Sequence, residues 1–195
     1  MDEVIKIKDL SPMHCVGYMG YDDEWHPDSR YRKHLKIDQH HYTVNIWREE
    51  KNKWKLSVYL GLTNYDARNI LIIRQSAKTM KELKKLAVDE INSYHNTERC
   101  TKDIEDWKKS NGNMVFDKDF NYLGITYTSP AAEKRNTEYD YYNDKKPKVG
   151  YGTYYMLCEN SVAVCKIGYG WSEMGWDKSE ELRNKLLQNM PDSEV

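Results

Sequence analysis

The chain has 195 residues, which is enough for one domain or two small ones with a substantial hydrophobic core. Its 30 basic and 31 acidic residues nearly cancel, which excludes global electrostatic steering toward nucleic acid or an acidic membrane, so either contact needs a local patch. Leu, Ile, Val and Phe number only 36, and 16 Tyr and 6 Trp therefore supply much of the apolar area.

Signals for targeting and compartment predict a cytoplasmic protein. The first ten residues hold no apolar segment of the signal-peptide kind, and the longest aliphatic run, Ile70 to Ile73, is too short to span a membrane. Four cysteines without a C-x-x-C pair fit reduced thiols. The excess of 22 Lys over 8 Arg, together with 14 Asn, favours AT-rich codons, so we expect a low-GC bacterium or its phage as the source.

The first seventy residues have mainly strand patterns. The alternation in "EVIKIKD" (3–9) predicts a strand, and a clear hairpin follows over 40–60. In that hairpin, every second residue of each strand is apolar, which predicts one buried face. The residues of that face are Tyr42, Val44, Ile46, Trp54, Leu56, Val58 and Leu60.

The rest of the chain combines helices with further hairpins. The capping-box spacing of Thr79 and Glu82 opens a helix at about 79–95, a short helix follows at about 101–109, and a last helix covers about 178–190. Alternating segments predict two more hairpins, over 114–128 and 151–169. This order predicts an α+β fold with a largely antiparallel sheet from several hairpins, packed by two main helices and one short helix.

One domain covering 1–195 is the leading interpretation of the organisation. The repeat of "YLGLT" (59–63) as "YLGIT" (122–126) leaves open an alternative in which 1–98 and 99–195 are two similar halves, each a group of strands followed by a helix. Residues 129–148 lack apolar periodicity and predict a long loop, and loops of that length are usually functional or mobile.

The glycine-rich segment "GYGWSEMGW" (168–176) does not fit a phosphate-binding loop. Trp176 and Asp177 stand where a Walker A motif needs Lys and then Ser or Thr, and a dinucleotide fingerprint needs Gly in place of Glu173. We therefore predict a turn that lets Trp171 and Trp176 pack against the final helix. No catalytic motif is recognised in the chain, and no cofactor is expected.

The leading functional hypothesis is a non-catalytic binding protein whose partner is a protein or a protein–nucleic acid complex. Tyr provides contact area at low entropic cost, so the Tyr- and acid-rich part of the long loop is the expected binding surface, joined by an exposed Trp. The residues of this surface are Tyr139, Asp140, Tyr141, Tyr142, Asp144 and Trp171. The size and codon bias suit a phage or mobile-element inhibitor of a host or defence complex.

Two alternatives stay open. "RYRKHLK" interleaves cations with rings, which is typical of nucleic-acid contacts, and "KKPK" forms a second basic patch. The nucleic-acid residues would be Arg30, Tyr31, Arg32, Lys33, Lys36, Lys145, Lys146 and Lys148. The second alternative is a metal-dependent enzyme at the His cluster 26–41, with ligands drawn from His34, His40 and His41. Because neighbours on a strand face opposite sides, His40 and His41 are not expected to bind one ion together.

Overall fold

The computed structural model describes residues 4–19, 25–62, 69–135 and 145–192. Contacts divide these residues into two compact units, one with 4–62 and 69–107 and the other with 108–135 and 145–192. A five-stranded antiparallel sheet forms the base of each unit. The single domain and its alternative of two similar halves both stay predictions, because compactness does not measure independent folding.

The sheet of the first unit is a meander in which each strand pairs with its neighbour in sequence. Its order is β1-β2-β3-β4-β5, and every pair is antiparallel. The strands are β1 (His14–Met19), β2 (Trp25–Ile37), β3 (His40–Glu50), β4 (Lys53–Gly61) and β5 (Ile70–Ala77). Asp38 (φ 51°) and Asn52 (φ 60°) close the two central hairpins in the left-handed conformation, which these two residue types tolerate well.

One face of this sheet, the core face, packs on helix α1 (Met80–Tyr94). The apolar alternation predicted for the hairpin is confirmed, since each of its β3 and β4 core residues except the half-buried Trp54 is at most 1% exposed. Helix α1 contributes Leu83, Ala87 and Ile91, all fully buried. Burial of this stripe gives α1 most of its stability, because an isolated helix of this length is marginal in water.

The start of α1 follows the predicted capping box. The Thr79 side chain accepts a hydrogen bond from the Glu82 backbone N–H at 3.2 Å, and the Glu82 carboxylate accepts one from the Thr79 N–H at 3.0 Å. These bonds satisfy two of the amide groups that the first turn of a helix leaves without intrahelical partners. Helix α2 (Glu98–Asn111) follows α1 in sequence, and the division between the two units falls within it.

The strand predicted at 3–9 is wrong. Residues Ile7–Leu10 form a 3-10 helix, with Leu10 buried. The side-chain oxygen of Asn92 on α1 accepts hydrogen bonds from the backbone N–H groups of Val4 and Ile5, at 3.0 and 2.9 Å. The Asn92 amide also donates to the Ile5 carbonyl at 3.0 Å, so a side chain satisfies backbone groups that a neighbouring strand would otherwise bind.

The sheet of the second unit has the order β10-β9-β8-β6-β7. Its strands are β6 (Asn113–Phe116), β7 (Tyr122–Thr126), β8 (Gly152–Leu157), β9 (Val162–Gly168) and β10 (Trp171–Asp177). Two short helices cover this sheet, α3 (Pro130–Arg135) and α4 (Glu180–Gln188). Ala131 of α3 packs in one buried cluster, with Val115 among its members, and Leu186 of α4 packs in another with Phe116.

Two segments of the second unit differ from their predictions. Helix α3 lies within the segment predicted as a loop, because the Ser129 hydroxyl caps it by accepting from the Ala132 N–H at 3.2 Å, and Pro130 suits the first helical position. A helix this short carries no detectable periodicity. Residues 171–177 form strand β10, where a turn was predicted, and Trp171 and Trp176 are 58% and 62% exposed and so are not buried against the last helix.

These elements confirm the α+β class with antiparallel sheets. The helices predicted at about 79–95, 101–109 and 178–190 correspond to α1, α2 and α4. Helix α2, predicted as the short one, has 14 residues, whereas α4, predicted as a main helix, has 9. Among the residues that the structure describes, no helix is both long and apolar enough to cross a membrane.

Candidate nucleic-acid interface

The predicted basic segment "RYRKHLK" lies on β2, where strand alternation divides its residues between the two faces of the sheet. Arg30, Arg32 and Lys36 pair with the β3 residues that alternate with the buried ones, so they lie on the face opposite α1. Tyr31 and Lys33 pair with the buried β3 positions and so lie on the core-face side. The structure therefore brings together three of these five residues.

Tyr31 and Lys33 have structural contacts on their own side of the sheet. The ring centroid of Tyr31 lies 6.3 Å from that of Trp54. The Lys33 ammonium donates to the Pro12 carbonyl at 3.3 Å. These contacts tie β2 to β4 and to the segment before β1, which makes packing the role that the geometry indicates for both residues.

The surface opposite the core face, here called the outer face, consists of four rows of cross-strand neighbours. Neighbouring strands are about 4.8 Å apart, so a row that crosses four strands spans about 14 Å. The rows are Arg30–Trp47–Lys55–Ser76, Arg32–Asn45–Ser57–Arg74, His34–Thr43–Tyr59–Leu71 and Lys36–His41–Gly61. Arginine, lysine and aromatic side chains thus share one side of the sheet with small polar ones.

Cross-strand hydrogen bonds order the middle of the outer face. Arg32 donates through Nε to the Asn45 side-chain oxygen at 2.9 Å, and His34 Nδ1 lies 3.0 Å from the Thr43 hydroxyl. Thr43 is only 1% exposed, so larger side chains around it cover the sheet backbone. The guanidinium group of Arg32 has five N–H donors. The hydrogen bond to Asn45 uses one of them and fixes the orientation of the others.

A groove runs along the β3–β4–β5 end of the outer face. Its volume is about 520 Å³, and it is lined by Trp47, Lys55, Arg74, Gln75 and Ser76. The ring, the two cations and the hydroxyl are the groups that a strand of nucleic acid needs, because bases stack on aromatic rings and phosphates accept hydrogen bonds from Arg, Lys and Ser.

Positive charge predominates on the outer face. Five of its described residues are cations, namely Arg30, Arg32, Lys36, Lys55 and Arg74. At its margin, the Glu49 carboxylate pairs with Lys55 and, at 2.7 Å, with Lys53. The protein has a net charge of −1, so this concentration of cations on one face is the local patch that polyanion binding requires.

The positive charge of the outer face affects the pKa values of two of its histidines. Burial lowers the pKa of His34, and Arg32 and His14 lower it further. Burial also lowers the pKa of His41, with added repulsion from Lys36 and His34. Both imidazoles are therefore neutral at pH 7, and a bound polyanion would favour their protonated forms.

The three predicted metal ligands do not lie on one face. His34 and His41 share the outer face, whereas His40 lies on the core side, 4% exposed, with its ring stacked on Tyr42 and 4.9 Å from the ring of His95. Within the ranges that the structure describes, no three His, Cys, Asp or Glu side chains gather at one point. The metal-dependent enzyme stays a prediction without geometric support in those ranges.

The second predicted basic patch is partly structural. The Lys146 ammonium lies 3.2 Å from the carboxylate of Glu133, which is 3% exposed and also accepts from Thr126 at 2.8 Å. The Lys145 carbonyl accepts from the Ile125 N–H at 2.9 Å, beside Gly124, whose φ of +146° and close approach to that carbonyl suit glycine. Lys148 is exposed.

The predicted protein-binding surface lies mostly outside the described residues. Tyr139, Asp140, Tyr141, Tyr142 and Asp144 all fall in 136–144, so their role stays a prediction. Trp171, the sixth residue of that surface, lies in the second unit at the start of β10 and is well exposed.

Sequence reasoning missed the outer-face residues on β3, β4 and β5, chiefly Trp47, Lys55, Tyr59 and Arg74. The sequence pattern indicated three of them, Trp47, Lys55 and Tyr59, because the predicted buried face of the hairpin implies that the alternate residues point to the opposite face. It could not be combined with "RYRKHLK" because that segment has no apolar alternation that would identify it as the strand that pairs with β3.

Comparison of the chain with protein-family models, curated proteins and solved structures gave no match. Function is therefore inferred from the chemistry of the outer face alone.

Proposed function

We propose that this chain is a binding protein that holds single-stranded nucleic acid on the outer face of its first sheet. The observation that carries the proposal is the convergence of Arg30, Arg32 and Lys36 from β2 with Trp47 and Tyr59 from the next two strands. Cations and rings on one face of a sheet suit a strand whose phosphates meet the cations while its bases stack on the rings.

A single strand fits this surface better than a duplex. In a duplex the bases are stacked on one another, so Trp47 and Tyr59 would find no exposed base plane, and an A-form major groove is too narrow for side chains to read. A single strand presents both phosphates and base planes to a flat surface. The polar rows also give Ser76 and Asn45 as hydrogen-bonding groups that need no particular base.

The test is the affinity for a fluorescently labelled single-stranded 15-mer, as RNA and as DNA, measured by anisotropy at low salt. The variant Arg32→Gln/Arg74→Gln removes two cations from one row of the outer face. Binding should weaken at least about tenfold, the equivalent of roughly 1.4 kcal/mol. A second variant, Trp47→Leu, removes a ring and should also weaken binding.

The matched control is Lys78→Gln/Lys81→Gln, which removes the same charge from exposed positions at the start of α1, a helix that packs on the core face. The control should keep wild-type affinity. Equal losses for the outer-face variant and the control, or no binding by the wild type to either strand, would contradict the proposal.

A protein partner is the second candidate, supported by the exposed aromatic residues Trp171 and Trp176 on β10. The proposed partner is a host or defence complex, engaged through the loop tyrosines with Trp171. Replacement of Tyr139, Tyr141 and Tyr142 by Ala should abolish capture of a discrete nuclease-resistant partner from a low-GC bacterial lysate while the melting temperature holds. Unchanged capture would refute this candidate.

A further inference from the structure

A cavity in the second unit has the composition of a small-ligand site. It lies beside the turn between β9 and β10 and has a volume of about 280 Å³, near the lower end of the usual range for small-molecule pockets. Aromatic, apolar and cationic side chains line it together with two glycines, as Ala131, Lys134, Tyr151, Ile167, Gly168, Gly170, Trp171 and Ser172.

The Trp171 ring packs directly against the backbone of Gly168. A Cβ atom at Gly168 would lie 2.7 Å from both Cε2 and Nε1 of the indole, so only glycine admits the ring in this position. Gly170 (φ 79°) provides the turn that returns the chain from β9 to β10. With 58% of its surface exposed, Trp171 presents the rest of a positioned indole to the cavity.

A positively charged side chain lies next to the aromatic residues that line the cavity. The Lys134 ammonium lies 3.2 Å from the ring centroid of Tyr151, a cation–π contact. Tyr151 is itself exposed, and its ring lies 6.1 Å from that of Tyr169. Within the described ranges no carboxylate pairs with Lys134, so a ligand that brings a negative charge would supply one.

We propose that this cavity binds a planar aromatic anion. The ligand ring would stack on Trp171, and its acidic group would meet Lys134, with the Ser172 hydroxyl as a further polar contact. The cavity volume favours one or two fused rings with a single acidic group over a larger ligand. An aromatic carboxylate and a nucleoside monophosphate share this chemistry, and the test separates them.

The test follows the indole N–H signal of Trp171 by NMR during titration of the full chain, with Trp171→Phe used to assign that signal. Two probe pairs differ chiefly in charge: indole-3-acetate with indole-3-acetamide, and adenosine monophosphate with adenosine. The charged member of at least one pair should bind with a Kd below about 1 mM and at least about fivefold more tightly than its neutral partner, as one ion pair predicts. The pair that shows this difference identifies the acidic group.

Two variants test the geometry. Gly168→Ala displaces the indole without removing a side chain and should weaken both members of a pair about tenfold, as expected for lost stacking. Its control is Gly175→Ala, in the same hairpin, where a Cβ meets nothing within 4 Å and affinity should be unchanged. Lys134→Met should weaken only the charged probe and so remove the difference within the pair.

Three results would overturn the proposal. One is the absence of any Trp171 shift up to millimolar probe. Another is equal binding of charged and neutral probes to the wild type. The third is an equal effect of Gly168→Ala and Gly175→Ala on affinity.

Discussion

Replacement of Arg32 and Arg74 by Gln changes the salt dependence of nucleic-acid binding by an amount that the outer face predicts. Affinity for a single strand falls with salt because bound cations displace the counterions of the phosphates. The slope of log affinity against log salt therefore counts the cations that contact phosphates. Gln is shorter than Arg but keeps two of its methylene groups and a polar end, so the substitution removes the charge and retains part of the side chain.

Four outer-face cations of β2 and β5 are counted as phosphate contacts in the complex, namely Arg30, Arg32, Lys36 and Arg74. At about 0.7 per phosphate contact on a single strand, the wild type should show a slope of about −2.8, which is a loss of about 50-fold between 50 and 200 mM salt. The double variant keeps two of these cations and should show a slope of about −1.4, a loss of about sevenfold over the same interval.

The assay is fluorescence anisotropy with a labelled single-stranded 15-mer at five or more salt concentrations and constant pH. Unfolding in urea should confirm that the variant keeps the wild-type fold. The control Lys78→Gln/Lys81→Gln carries the same net charge as the double variant and should keep the wild-type slope. Identical slopes for all three proteins would refute the assignment, because they would show that Arg32 and Arg74 contact no phosphate. An equal reduction in both variants would also refute it, because global charge, and not the outer face, would then govern binding.

Three further predictions concern the first unit. Tyr42→Phe removes the hydroxyl that lies 3.0 Å from His95 Nδ1 in the core and leaves that nitrogen buried. Urea unfolding should therefore show a loss of about 1–3 kcal/mol in the free energy of unfolding. The control Tyr59→Phe, on the outer face, should change that free energy by less than about 0.5 kcal/mol. Thr79→Ala removes the cap of α1 and should cost about 1 kcal/mol in the same experiment; no loss would show that the cap is dispensable. Nucleic-acid affinity at constant ionic strength should rise as pH falls from 8 to 6. The lowered pKa values of His34 and His41 leave both side chains neutral at pH 7, and bound phosphates favour their protonation. A pH profile that His34→Gln/His41→Gln leaves unchanged would contradict this coupling.

The parts of the fold that were predictable carry strong local periodicity. Alternation over β3 and β4 identified their core face, and the capping box with the stripe of Leu83, Ala87 and Ile91 identified α1. These signals are visible because one side of each element is apolar. The strand predicted at 3–9 had the same alternation and was wrong, since its backbone groups are satisfied by Asn92, which lies 87 residues from Ile5.

The candidate site was only partly predictable, because local sequence patterns do not show which strands pair. The cations of "RYRKHLK" were found because they are consecutive in sequence, but this clustering could not show that Tyr31 and Lys33 lie on the other side of the sheet. Strand β2 has no clean apolar alternation, and its pairing with β3 depends on partners that the segment itself does not encode.

The sequence by itself determined the class of the fold, the buried face of the central hairpin, the approximate positions of α1, α2 and α4, and a net charge too small for steering. Only the tertiary structure decided which charged and aromatic residues meet. Local patterns report whether a side chain is buried, whereas the register between strands sets its neighbours. Arg32 and Arg74 are 42 residues apart in sequence and stand in one row of the outer face because β2, β3, β4 and β5 pair in that register.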